Sequence, residues 1–127
     1  MNKKILIALG MVACLTIPTT VKAGVTWNYG SWLLESGTEI YGYLFKPSGS
    51  TYTYEAGTDN KTMNGNGAWV KIYATAAGNT IPGSEAIGRA AYNAVARASA
   101  ANAQYWGSGH STRADADRYE WLYLSTQ

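Results

Sequence analysis

The chain has 127 residues, a formal net charge of +2, five tryptophans, ten tyrosines and one phenylalanine. This length allows one small domain, and a single cysteine excludes an internal disulfide. The low net charge argues against a basic nucleic-acid-binding surface. In the absence of disulfides, we expect the aromatic rings to supply much of the buried apolar area.

Residues 1–23 have the features of a secretory signal peptide. Two lysines precede an apolar run over residues 5–18, which is too short to span a membrane, and the tripeptide VKA follows as a cleavage site. We predict cleavage after Ala23 and a single secreted, extracellular domain over residues 24–127. Lipoprotein-type cleavage at Cys14 is the less favoured alternative, because the apolar run continues beyond it.

The predicted mature domain is close to neutral. Cleavage removes three of the ten Lys and Arg residues and leaves seven against eight Asp and Glu residues. A nucleic-acid partner is therefore not expected. Disruption of anionic membranes by a cationic amphipathic surface is not expected either, because that mode needs a basic face.

The first predicted element is a strand that follows the cleavage site. Val25, Trp27 and Tyr29 alternate with polar residues, so their side chains share one face. Gly30 or Ser31 is expected to end this strand. Trp32 lies off that face, and we interpret it as an exposed ring available for contact.

A β-hairpin and a further strand follow. Residues 39–45 (EIYGYLF) and 51–55 (TYTYE) alternate in the same way and flank the turn KPSGS. Residues 57–67 are polar and rich in glycine and asparagine, which predicts a loop. Residues 68–76 (AWVKIYATA) alternate again and predict a strand.

The last third of the chain predicts a helix and then a strand. From residue 84 to about 105 the sequence is Ala-rich, Ser84 is a suitable N-cap, and apolar residues recur at helical spacing: Ile87, Ala91, Val95 and Ala98. Residues 118–126 alternate as a strand. The predicted fold is mainly β, a small antiparallel β-sandwich or sheet with this one added helix and a C-terminal strand.

The single histidine is the main candidate for catalysis. An enzyme would pair His110 with Ser108 or Ser111 as nucleophile and with Asp115 or Asp117 as orienting acid. Residues so close together in a glycine-rich loop seldom have the required geometry without a rigid scaffold. We therefore favour a solvated loop histidine and a protein that is not an enzyme.

No metal or cofactor site is predicted. The mature chain has one histidine and no cysteine, and its carboxylates are scattered. The stretch DNKTMNGNG superficially resembles a calcium loop, but it lacks alternating acidic ligands and a closing glutamate. We interpret it as a turn.

Several motifs resemble those of the lactococcin 972 family of secreted bacteriocins, mainly within residues 25–76. These are TWNYG after the cleavage site, the hairpin IYGYLFKPSGSTYTYEAG and the strand GAWVKIYATA, with a weaker match at RAAYN, residues 89–93. The resemblance implies a β-sandwich of short antiparallel sheets. It also implies inhibition of related Gram-positive bacteria from outside the cell, with the cell-wall precursor lipid II as target.

By motif match, the resemblance carries over Trp27, Tyr29, Gly30 and Trp69 as binding residues. The chain departs from the family pattern in two ways. The family hairpin usually has Asn and His where Gly42 and residues 44–46 stand, and the family's C-terminal part is shorter. The extension over residues 84–127 leaves the target and the choice between monomer and homodimer open.

The leading hypothesis is a secreted, bacteriocin-like protein that acts on the cell envelope of related Gram-positive bacteria by binding a component such as a cell-wall precursor. The alternative is a secreted, non-enzymatic adhesion or glycan-binding module. The candidate binding residues are Trp27, Tyr29, Gly30, Trp32 and Trp69. No cofactor and no nucleic acid is expected in either case.

Overall fold

The structure, a computed structural model, describes residues 26–126. The predicted leader, its cleavage site and Cys14 lie outside the described residues. The strands are β1 (Trp27–Leu33), β2 (Glu39–Phe45), β3 (Thr53–Asn60), β4 (Ala68–Ala76), β5 (Asn79–Thr80), β6 (Ala86–Ala90), β7 (Asn93–Ser99), β8 (Tyr105–Ser111) and β9 (Glu120–Ser125). One 3-10 turn, Arg113–Asp115, precedes β9. Within residues 26–126, no helix has the length and apolar character needed to cross a membrane.

The strands form two antiparallel sheets. Sheet A has the order β1-β2-β3-β7, and in sheet B the strands β5 and β6 line one edge of β4, followed by β8 and β9. The chain passes from sheet B to sheet A between β6 and β7. Gly88 lies so close to the backbone of Val95 at this crossing that a Cβ atom would clash with the Val95 carbonyl group. The predicted antiparallel, mainly β fold is confirmed.

The two sheets pack face to face around one core. Tyr54 of sheet A stacks on Trp106 of sheet B, with ring centroids 5.0 Å apart and planes 20° apart. Other inward positions carry mostly aliphatic residues and alanine, including Leu44, Ala56, Val70, Ile72, Ala74, Ala94, Ala96 and Leu124. Strand alternation places these side chains inward and leaves every second residue facing outward.

The predicted helix over residues 84–105 is wrong, because this segment forms β6, β7 and the start of β8. Alanine fits the periodicity of a helix and of a strand. In β7, Ala94 and Ala96 point into the core, while Val95 between them points outward. β7 pairs with β3 and β6 pairs with β4, each along one edge, and this tertiary gain outweighs the small helix propensity of alanine. Ser84 caps no helix; its buried hydroxyl accepts from the Ala74 amide and donates to the Ile81 carbonyl oxygen.

Three predicted boundaries also change. The first strand continues beyond Gly30 and Ser31 to Leu33, and residues 57–60 belong to β3 rather than to the predicted loop. The stretch GSGHS, expected as a connector, lies within β8. Its glycines leave space for aromatic rings from neighbouring strands, so they are part of a sheet and not of a loop. The predicted C-terminal strand is confirmed as β9.

Candidate functional site

The outer surface of sheet A carries a continuous group of aromatic rings on β1 and β2. We call this group the front face: Trp27, Tyr29, Tyr41, Tyr43 and Phe45. The register places Trp27 opposite Phe45 and Tyr29 opposite Tyr43. Because strand residues two apart share a face, the outward positions of two neighbouring strands form one surface.

The most exposed part of the front face is the pair Trp27 and Tyr29. Their rings stack with centroids 4.9 Å apart and planes 11° apart, and 56% and 54% of their surfaces remain exposed. A shallow depression beside them is lined by Thr26, Trp27, Tyr43 and Phe45. The pair is therefore preorganised and open to a flat apolar ligand surface.

Tyr43 is held in place by charged residues on β3 and β7. Its ring lies over Gly57, where a side chain would clash, and its hydroxyl donates to Glu55 Oε2 at 3.0 Å. Glu55 is nearly buried and pairs with Arg97 through Nε at 2.6 Å. Burial is the main cause that raises the pKa of the Tyr43 hydroxyl, and the neighbouring Glu55 carboxylate raises it further. The front face thus ends at the ion pair of Glu55 and Arg97.

Gly30 and Trp32 lie on the opposite, inner side of β1. Gly30 faces Gly42 across the β1–β2 pair, and the Trp32 ring packs closely over both glycines. Trp32 is half-buried against the core and stacks on His110. The interpretation of Trp32 as an exposed contact is wrong, because the side of β1 away from Trp27 is the side that faces the core.

Trp69 lies on a third surface, the outer face of sheet B. The Arg89 guanidinium stands 4.2 Å from the centroid of its ring. The five sequence-derived candidates therefore separate into an exposed pair on the front face, two residues facing the core and one residue on the other sheet. Only Trp27 and Tyr29 form a shared exposed surface.

His110 is fully buried, so the expectation of a solvated loop histidine is wrong. Its ring lies between Thr58 Oγ1, 2.8 Å from Nδ1, and Ser108 Oγ, 2.7 Å from Nε2. Burial lowers the pKa of His110 to about 3, partly offset by a hydrogen bond with the Gly57 backbone. The Ser108 and His110 side chains are in contact, but both have no exposed surface through which to meet a substrate.

The other residues considered for catalysis do not hydrogen-bond to the His110 imidazole. Ser111 donates to the carbonyl oxygen of Asp115 at 2.7 Å. The Asp115 carboxylate accepts from the Ser36 backbone and hydroxyl and from the Thr112 hydroxyl. Asp117 is exposed. The arrangement ties the β1–β2 turn to the segment before β9, which is a structural task.

The described residues contain no group of three or more His, Cys, Asp or Glu side chains able to hold a metal ion. The stretch that resembles a calcium loop is held together by hydrogen bonds of its asparagine side chains. Asn60 Nδ2 donates to Asn64 Oδ1 and to the Gly67 carbonyl oxygen, both at 2.9 Å. These contacts close a turn between β3 and β4.

Sequence reasoning missed part of the exposed aromatic surface. The alternation of Tyr41, Tyr43 and Phe45 predicted a strand but not that its outward rings would extend the Trp27–Tyr29 pair. Predicting this extended surface required the β1–β2 register.

Comparisons with protein-family models, curated proteins and solved structures found no match to this chain.

Proposed function

We propose that residues 24–127 are a secreted, bacteriocin-like protein that acts on the envelope of related Gram-positive bacteria by binding a cell-wall precursor through the front face. The observation that carries this proposal is the stacked, half-exposed pair Trp27 and Tyr29. Contiguous exposed aromatic surface in a small protein is typical of an interaction site, because such surface is costly to leave in water.

The chemistry of the front face suits a precursor that combines sugars with an apolar chain. Flat rings such as Trp27 and Tyr29 pack against the apolar faces of sugars and against hydrocarbon. The near-neutral charge of the predicted mature chain supports recognition of a specific molecule over cationic membrane disruption. The motif resemblance to the lactococcin 972 family makes lipid II the first ligand to test.

The test is growth inhibition by purified residues 24–127 on a panel of related Gram-positive strains, with septation followed by microscopy. Tyr29→Ala should reduce inhibition strongly while leaving the fold intact. Tyr52→Ala is the matched control, because Tyr52 is 52% exposed but lies outside the front face. No inhibition at any dose, or equal loss in both variants, would contradict the proposal.

The alternative, an adhesion or glycan-binding module that does not kill, has a separate signature. Purified residues 24–127 would then be retained by peptidoglycan or by a glycan array without producing an inhibition zone. The Trp69 ring with the Arg89 guanidinium beside it, on the outer face of sheet B, supports this alternative as a second surface for a glycan.

A further inference from the structure

The outer surface of sheet B carries a second aromatic group, which differs from the front face in containing cations. We call it the basic face: Trp69, Lys71, Arg89, Tyr119, Trp121 and Tyr123. Lys71 Nζ lies 4.1 Å from the centroid of the Tyr119 ring and 5.6 Å from that of Trp121. With Arg89 against Trp69 at 4.2 Å, each cation has an aromatic neighbour.

The rings of the basic face lie on a floor made by two glycines of β8. Gly109 is covered by the rings of Trp121 and Tyr119, and Gly107 by that of Tyr73. The register places both glycines between outward residues of β4 and β9. The rings are therefore held close to the sheet, and Trp121 keeps 39% of its surface exposed.

Hydrogen bonding and ring contacts fix the centre of this surface. Burial raises the pKa of the Tyr73 hydroxyl, and the neighbouring Tyr123, with which it hydrogen-bonds, raises it further. The Tyr73 ring meets Trp121 edge-on at 5.8 Å, and the Trp121 and Tyr123 planes are 15° apart. Ligand binding would therefore require little ordering of these rings.

The two outer faces differ in charge. Outward positions on sheet A include Glu39, Glu55 and Asp59 against Arg97. On sheet B, the outward positions of β4, β6, β8 and β9 carry Lys71 and Arg89 and no carboxylate. Within residues 26–126, neither Lys71 nor Arg89 is in an ion pair, since the one observed joins Arg97 to Glu55.

We propose that the basic face binds an anionic glycan, whose sugar ring lies on Trp121 and whose acidic groups lie against Lys71 and Arg89. The rings favour a carbohydrate over a simple anion, and the cations favour an acidic carbohydrate over a neutral one. Two cations make too small a positive surface for a nucleic-acid backbone. This site is on the sheet opposite to the front face, and it stands whether or not the front face binds a cell-wall precursor.

The experiment compares binding of carboxymethyl-dextran and of neutral dextran of equal length by isothermal titration calorimetry, using residues 24–127. The carboxymethylated polymer should bind at least about ten-fold more tightly than the neutral one. Arg89→Gln and Lys71→Gln should each weaken its binding by about five-fold, and Trp121→Ala by about ten-fold.

Three controls separate this site from other causes. Lys61→Gln removes the same charge at an exposed position away from the basic face and should leave the affinity unchanged. Tyr29→Ala, on the front face, should also leave it unchanged. Arg89→Gln alters an exposed side chain, so a folded variant is expected even where Trp121→Ala is unstable.

Equal affinity for the two polymers, or equal weakening by Lys61→Gln and Lys71→Gln, would overturn the proposal. Sedimentation that shows concentration-dependent self-association lost in Arg89→Gln, without glycan binding, would assign the face to a second copy of the chain and would also overturn it. Loss of growth inhibition in Tyr29→Ala with unchanged glycan binding would leave this proposal standing.

Discussion

Trp32 and His110 stack with ring centroids 5.7 Å apart and planes 20° apart, and the contact joins sheet A to sheet B. The contact is possible because Gly30 and Gly42 face each other on the inner side of β1 and β2. A Cβ atom at either position would meet the Trp32 ring at 2.6–2.9 Å. The pair is part of the structural core and not part of an exposed binding surface.

Trp32→Ala is therefore expected to destabilise the fold. Loss of the ring removes its packing against the core and against His110, and the cavity should cost about 3 kcal/mol. Urea denaturation measures the free energy of unfolding. Trp27→Ala is the matched control and should cost less than about 1 kcal/mol, because Trp27 is 56% exposed. Equal stability of the two variants would contradict the core assignment.

The glycine pair gives a second prediction. Gly42→Ala places a Cβ atom 2.7 Å from His110 Cγ, so the rings must shift, at a cost of about 2 kcal/mol. Gly65→Ala is the control, because a Cβ atom there meets no atom within 4 Å and its φ is not in the positive range. Thermal unfolding should show a lower Tm for Gly42→Ala alone. A similar change in both variants would show that the inner space is not filled as described.

Buried His110 should make stability depend on pH. Its pKa is about 3 in the folded protein, against an ordinary value of 6.5. As the pH falls below 6.5, the unfolded chain binds a proton there and the folded chain does not. The free energy of unfolding is therefore highest above this value and should fall by about 1 kcal/mol per pH unit as the pH drops towards 3.

Denaturation at several pH values between about 5 and 6.5 tests this dependence, since most carboxylates remain ionised there. His110→Gln removes the titrating group, and its stability should change much less with pH over the same range. If the variant and the parent chain have the same slope, the dependence comes from other groups.

Asp115 gives a test of the polar contacts between the β1–β2 turn and the segment before β9. Asp115→Ala leaves the Ser36 amide and two hydroxyl groups without their acceptor in a nearly buried site, at a cost of about 2 kcal/mol. Asp117→Ala changes an exposed carboxylate nearby and should cost less than about 0.5 kcal/mol. Equal effects in chemical denaturation would refute the bridging role of Asp115.

The sequence was sufficient for the sheet class and for the shared face of Trp27 and Tyr29, but not for the exposure of that face, and it was insufficient where one residue type fits two structures. The period of two at Trp27 and Tyr29 predicts a shared face, and the structure places both rings there. Ala94 and Ala96 suit a helix as well as an inward strand face, so the period alone could not distinguish them. Pairing with β3 decided the outcome, and that partner is distant in sequence.

The site was harder to predict than the fold, because it depends on what lies across the sheet. Gly107 and Gly109 around His110 resemble a loop, yet they are the floor for rings from β4 and β9. Trp32 was correctly separated from Trp27, but the sequence does not say which side of β1 faces the core. Likewise, nothing in the chain order indicates that Arg89 and Trp69 meet.

The five tryptophan indole N–H signals allow the most direct test of the front face, because Trp27 is the only tryptophan on it. We would titrate a water-soluble, short-chain analogue of lipid II into ¹⁵N-labelled residues 24–127 and follow these signals by NMR. Binding at the front face predicts a saturable shift of the Trp27 signal, with the buried Trp106 signal unchanged. An unchanged Trp27 signal at concentrations that inhibit growth, or shifts confined to Trp69 and Trp121, would contradict the account.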